Sequence, residues 1–322
     1  MSTKDSLTKL FLSQEDVFAD AFNYLLFGGE AVIKPEDLTE QDPTEIAEIR
    51  KLGKIFTDQK YRDVLKLCTI RRNKYATLVL LGIESQSNIH YAMPVRDMLY
   101  DALNYHAQVE AARRRHEGDH DLSGAELLSG FSREDRLVPV ITLCICFEPE
   151  KWDAPRSLHD MFGKIDPRVR KYVNDYRLNL ITPDEIEDFN MFASELGILL
   201  EFINNANDKE GIRGIIKRRA KEFSDVSITT IDMINTYTSA NFPTDNAEGG
   251  KVDMCKGWQD LLEEEHDEGR AEGRVEGRAE GRAEGRVESI RNIMKNLKMT
   301  AEQAMKALGI EESEQDKYLA ML

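Results

Sequence analysis

A chain of 322 residues with 41% hydrophobic composition can bury a real core, and it predicts one main domain with appendages. No apolar run approaches the roughly 20 residues that a membrane-spanning helix needs, so a membrane partner is not expected. The formal net charge of −16 argues against a protein coated in nucleic acid, while a local basic rim can still engage phosphates.

The opening Met1-Ser-Thr-Lys-Asp-Ser lacks a charged-then-apolar layout, which predicts no secretory leader. Residues 14 to 28 read as an amphipathic helix, with Ser13 as N-cap and Gly28 as the stop. Ala31-Val-Ile-Lys34 reads as a short strand, and 36 to 52 as a polar, partly helical stretch. Two apolar runs between 61 and 86 flank the polar break Arg71-Arg-Asn-Lys74 and predict an antiparallel hairpin. Met93 to about Arg114 reads as a long helix entered through Pro94. Residues 113 to 134 read as a polar loop or small insertion, and Leu137 to Phe147 as a buried strand returning parallel. The stretch 150 to 240 reads as mainly helical, with helix starts at Pro183 and Glu210, and 241 to 250 as a linker.

Cys144 and Cys146 lie too close on one strand for ordinary disulfide geometry. With Cys68 and Cys255 they predict reduced thiols and a cytoplasmic protein.

After the linker, Glu-Gly-Arg units recur with a period of four. Glu268, Glu272 and Glu276 stack at i,i+4, as do Arg270, Arg274 and Arg278, and both rows are repulsive in a helix. Each Gly costs a helix about 1 kcal/mol relative to Ala. The expected form is a mobile spacer; the rival is a helix that self-associates through its Gly and Ala face. Thr300 with Gln303 fits a capping box before a last helical pair. The apolar positions Ile290, Ile293, Met294, Leu297, Met305 and Leu308 need a partner surface, which suggests a homo-oligomer or docking on the main body.

The hairpin carries the chemistry. Asp63 opens its first run, and Glu84 and Gln86 close its second. Antiparallel pairing brings the start of one beside the end of the other. Residues 84 and 86 leave the same face of a strand. Two carboxylates and an amide in one space suit a hard cation, Mg2+ or Mn2+, and metal-assisted phosphodiester cleavage. Lys60, Arg62, Lys66, Arg71, Arg72 and Lys74 supply a basic rim for DNA; the alternative is a solvated charged hairpin. Asp20 is a candidate for positioning metal or water, or else an exposed helix acid. Arg96 and Tyr100 share a helix face, where Arg96 either contacts phosphate or pairs with an acid such as Asp101. His116-Glu-Gly-Asp-His120 matches the H-E-x-x-H zinc pattern. Gly118 and the polar flanks predict an exposed loop there instead.

An Asp followed about twenty residues later by Glu-x-Lys is the PD-(D/E)XK nuclease pattern. Here Arg62 stands in place of the Pro, and Gln86 in place of the Lys. Phe18-Ala-Asp-Ala-Phe-Asn, Arg62-Asp-Val-Leu-Lys, Ile83-Glu-Ser-Gln-Ser, Tyr91-Ala-Met-Pro-Val-Arg-Asp-Met-Leu-Tyr-Asp-Ala-Leu-Asn-Tyr105, Leu137-Val-Pro-Val-Ile-Thr-Leu and Trp152-Asp-Ala-Pro-Arg-Ser-Leu-His resemble the recombination-promoting nuclease / putative transposase family. The resemblance covers about residues 14 to 165. It implies an α/β fold with a PD-(D/E)XK restriction-endonuclease-like core, a mixed sheet flanked by helices, to which the sequence pattern adds a mainly helical second half and a helical or mobile C-terminal tail. It also implies a Mg2+-dependent DNA endonuclease linked to recombination or mobile DNA. Its metal ligands map to Asp63 and Glu84, and its Lys position to Gln86. The expected division is a core at 10–165, a helical layer at 166–240, a linker and repeat at 241–289, and a helical element at 290–322. The alternative reading is a catalytically weak or silent DNA-binding scaffold that oligomerises through its tail.

Overall fold

A computed structural model of the chain describes residues 3–40, 64–72, 75–238, 240–244 and 249–322. It separates into two compact units, Met1–Cys255 and Lys256–Leu322.

The N-terminal apolar periodicity forms two helices, α1 (Thr3–Ser13) and α2 (Glu15–Phe27). Ser13 therefore ends α1 rather than capping α2, whose N-cap is Gln14 without a side-chain bond. Gly28 stops α2 as expected, at φ +59, a left-handed conformation that glycine adopts without penalty. The stretch 31–34 is not a strand. The buried Asn23 amide takes its backbone groups instead: Oδ1 accepts from the N–H of Val32 (3.1 Å) and Ile33 (2.8 Å), and Nδ2 donates to Ile33 O (2.8 Å). Asn23→Leu is expected to lower unfolding free energy by on the order of 3 kcal/mol, because it strips partners from buried backbone groups. A urea midpoint moved by less than about 0.5 kcal/mol at unchanged m-value would show that these bonds contribute little.

Strands β1 (Leu38–Glu40), β2 (Val64–Arg72) and β3 (Tyr75–Gln86) form an antiparallel run, with Val64 opposite Ile83 and Arg72 opposite Tyr75. A parallel neighbour needs a long crossover. Helix α3 (Met93–Asp119), with Pro94 in its first turn, spans most of it, followed by the short α4 (Gly124–Ser129). Strand β4 (Val140–Cys146) then returns parallel to β3. After the one-turn α5 (Pro167–Arg170), β5 (Asn179–Ile181) adds a second parallel edge. The result is a mixed five-stranded sheet in the order β1-β2-β3-β4-β5.

Strand alternation divides this sheet into two faces. Val64, Lys66 and Cys68 share one face with their partners Ile83, Leu81 and Val79. It meets α1 and α2, since Lys66 Nζ donates to Ser13 O (2.9 Å) and lies over the Phe18 ring. Gly82, Glu84 and Gln86 share the other face with Thr142, Cys144 and Cys146 of β4. That face meets α3, from which Asp101 accepts the Thr142 hydroxyl at 2.6 Å.

The expectation of a mainly helical second half holds from residue 195 onward. Helices α6 (Glu195–Asn204), α7 (Lys209–Arg218), α8 (Ala220–Phe223) and α9 (Ile228–Tyr237) fill it, with strand β6 (Val226–Ser227) paired to β7 (Lys251–Val252). Residues 150–190 are largely irregular, and Pro183 opens only a single 3-10 turn, Pro183–Glu185. Among the described residues no helix is long and apolar enough to cross a membrane.

The repeat is helical rather than irregular. Helix α10 (Met254–Leu297) runs through it for 44 residues. It is followed by α11 (Ala301–Ala307), with the expected Thr300–Gln303 capping box, and α12 (Glu312–Leu319). Ala283, Val287 and Ile290 pack with Ala304, Met305, Ile310 and Tyr318, joined by Ile293 and Met294. This anchored end pays the nucleation cost, and the repeat then needs only propagation. Leu297 and Leu308 stay exposed.

Candidate active site

Glu84 and Gln86 leave the α3-facing side of β3 near its end, and both are buried. The Glu84 carboxylate pairs through Oε1 with the Arg96 guanidinium. Arg96 also donates from Nε to the Tyr100 hydroxyl at 3.0 Å. Gln86 Nε2 lies 3.5 Å from Glu84 Oε1 and donates to Ser85 O at 2.8 Å. The Glu84 side chain is 2% exposed and Arg96 31%, so the guanidinium is the solvent-reaching member of the pair.

The spacing Met93, Asp97, Tyr100, Asn104 makes a buried stripe on α3. Asp97 is therefore a second carboxylate pressed towards the sheet, and the sequence reading missed it. Its inward position in that stripe was the available signal. Burial, then Asp97, and further down Glu84, push the Cys144 thiol well above its usual range, which makes it an inert core thiol. Burial, then Glu84, raise the Tyr100 hydroxyl, with Arg96 opposing. Met93, Cys144, Cys146, Trp152 and Ala154 form an apolar floor beside these groups.

Of the expected site residues, Glu84, Gln86 and Arg96 come together. Asp63, Lys60, Arg62 and Lys74 lie outside the described residues. Asp20 does not join the cluster. It is buried on α2, where Oδ1 accepts from Ala193 N–H (3.0 Å) and Oδ2 from Ser194 N–H (2.8 Å) and Oγ (2.6 Å), bracing the start of α6. Lys66, expected on the basic rim, is 1% exposed on the opposite face, so it is not presented to a phosphate. Its place in the inward series Val64, Lys66, Cys68 explains this. Arg71 is exposed and pairs with Asp37 at 2.7 Å, and Arg72 closes the strand pairing with Tyr75. The acid that Arg96 pairs with is Glu84, and Asp101 serves the neighbouring strand and loop. It accepts Thr142 and the Tyr176 hydroxyl (2.7 Å). Among the described residues no group of three or more His, Cys, Asp or Glu is arranged to hold a metal.

The H-E-x-x-H stretch is helical rather than a loop, because α3 continues to Asp119 and His120 ends it in a left-handed conformation. His116 lies between two carboxylates, Nδ1 at 2.7 Å from Asp121 and Nε2 at 2.8 Å from Asp135. Ionised carboxylates only accept, so a carboxylate at each ring nitrogen favours the doubly protonated imidazolium. Both nitrogens are thereby withheld from zinc. Asp135 first and Asp121 second raise the His116 pKa. The Ser132 N–H, then His116, hold Asp135 down at about 2. A raised folded pKa stabilises fully below the unfolded value near 6.5 and is lost as pH rises through the folded value. Hydrogen exchange of segment 121–135 is therefore expected to be slowest below about pH 6.5 and to quicken above it, beyond the intrinsic trend. A His116→Gln protein that keeps the same excess pH dependence would refute the assignment.

No family model matches the chain, and no match was found among curated proteins or solved structures.

Proposed function

We propose that the chain is a metal-dependent DNA endonuclease with a PD-(D/E)XK-like core, acting on phosphodiesters in recombining or mobile DNA. The observation that carries this reading is the exit of Glu84 and Gln86 from one sheet face beside Arg96, one step beyond the Val64–Ile83 pair. Asp63, which precedes Val64 in the chain, is the proposed second carboxylate. A carboxylate and an amide oxygen are the donors a hard divalent cation takes, so Glu84 and Gln86 fit Mg2+ or Mn2+. Such an ion supplies Lewis-acid polarisation and a water of lowered pKa. The chain's own groups do the rest. Gln86 orients a water and donates to a phosphate oxygen, but carries no charge. Arg96 offers a planar fork of donors to a phosphate. The free buried thiols Cys68, Cys144 and Cys146 support a reducing compartment, the cytoplasm.

One observation favours a second reading. The Arg96 guanidinium already neutralises Glu84, the role a metal would take. With Gln86 at the Lys position, this suits a silent DNA-binding scaffold that assembles through its tail. Plasmid nicking with Mg2+ or Mn2+, against an EDTA control, separates the two. Nicking that EDTA abolishes supports the nuclease. DNA retention without nicking in either metal, at protein excess, leaves the scaffold.

A further inference from the structure

Between β4 and β5 the chain leaves the sheet as a closed excursion. Its neck is a short ladder: Leu158 N–H donates to Tyr176 O (2.8 Å), Leu178 N–H donates to Arg156 O (2.9 Å), and Ser157 bridges Arg177. His159 adds two ties, its N–H to Asp175 (2.9 Å) and its ring Nε2 to Val173 O (2.8 Å). The Tyr176 hydroxyl fastens the neck to α3 through Asp101, and Leu178 packs on the apolar floor of the candidate site. This ordered neck holds a tip, 162–172, in which every residue is exposed.

The tip carries Lys164, Arg168, Arg170 and Lys171 against one carboxylate, Asp166, in a chain whose net charge is −16. Ile165 and Val169 stand between the cations and Phe162 and Tyr172 flank them, with Tyr172 84% exposed. Solubility explains exposed cations but not an aromatic ring left in water beside them. A membrane anchor needs a contiguous apolar face. Here Phe162, Ile165, Val169 and Tyr172 share the tip with five charged residues, and binding to vesicles is the competing outcome of the test below.

We propose that 162–172 is a nucleic-acid-binding tip, in which the four cations take phosphates and Tyr172 stacks on an unpaired base, so that single-stranded DNA is its ligand. Cations beside an exposed ring suit a strand that offers phosphates and an unpaired base face together. The choice of DNA rests on the function proposed above, but binding is read without cleavage.

The test is fluorescence anisotropy of a labelled single-stranded 20-mer with the full chain in EDTA. Replacing Lys164, Arg168, Arg170 and Lys171 by Gln is expected to weaken binding more than about tenfold and to flatten the salt dependence, by about 0.7 in log–log slope per lost phosphate contact. Tyr172→Ala is expected to weaken it at least about fivefold, with less effect on duplex. Replacing Lys34, Lys217, Lys221 and Lys298 by Gln makes the same change in net charge elsewhere and is expected to leave affinity within about twofold. Affinity unchanged in both tip variants overturns the proposal. So does tip-dependent binding to phosphatidylserine vesicles with tip-independent binding to DNA. Tip-dependent binding by a protein that never nicks DNA retires the nuclease alone.

Discussion

Glu84→Gln is expected to lower Mg2+-dependent DNA nicking by about a thousandfold, and Asp63→Asn to do the same. Removing one anionic ligand forfeits several kcal/mol of transition-state stabilisation, and each 1.36 kcal/mol is about tenfold in rate. Glu84 is buried, so the choice of substitution matters. Gln keeps the shape and an oxygen for Arg96, whereas Ala opens a cavity and strips Arg96 of this partner. The stability cost of Glu84→Gln is expected to be about 1–2 kcal/mol, moderated because Arg96 reaches solvent. Gln86→Lys would place an ammonium beside the Glu84 carboxylate and compete with Arg96 for it. If Gln86 occupies the Lys position, that variant keeps or raises the nicking rate. Nicking that persists at the parental rate in folded Glu84→Gln would move the chemistry away from this end of the sheet.

The second large effect concerns where the chain can be cut. A protein ending at Cys255 is expected to keep the stability of the first unit, and one ending at Gly250 to lose about 3–6 kcal/mol. The five residues between them include β7, which pairs with β6, and Val252 and Met254, which are 5% and 0% exposed. Each such side chain contributes about 1.5–3 kcal/mol by burial, and total stability is commonly only 5–15 kcal/mol. Urea titration of both proteins reads the difference directly. Equal midpoints would mean that β7 is an ornament on the first unit. Light scattering of the same Cys255 protein against the full chain tests the proposed assembly through the tail. Identical monomeric mass at several concentrations would remove that role.

The parts of the fold legible in the sequence were those with a dominant period. Apolar runs bounded by polar breaks marked the hairpin and β4, and the Pro94 entry marked the start of α3. The misses have a common physical origin in side chains that reach across the fold. Asn23 satisfies the backbone of Val32 and Ile33 from nine and ten residues away, so an apolar stretch that reads as a strand forms none. Asp20 reads as a helix acid, yet it serves the start of a helix far along the chain. The carboxylates on either side of His116 hold a segment that Gly118 was expected to break. The site divides in the same way. The shared face of Glu84 and Gln86 follows from strand geometry alone, but the guanidinium on Glu84 and the inward turn of Asp97 depend on how α3 crosses the sheet.

The repeat within α10 has a geometric consequence of its own. Four residues turn an α-helix by about 400°, so each successive glycine sits about 40° further round and about 6 Å further along. From Gly269 to Gly285 the glycine line therefore winds by about 160°, nearly half-way round the rod. A period longer than 3.6 drifts in the right-handed sense. Any neighbour that followed the glycines would have to coil around the rod to the right, and a straight helix laid alongside would meet them for only a turn or two.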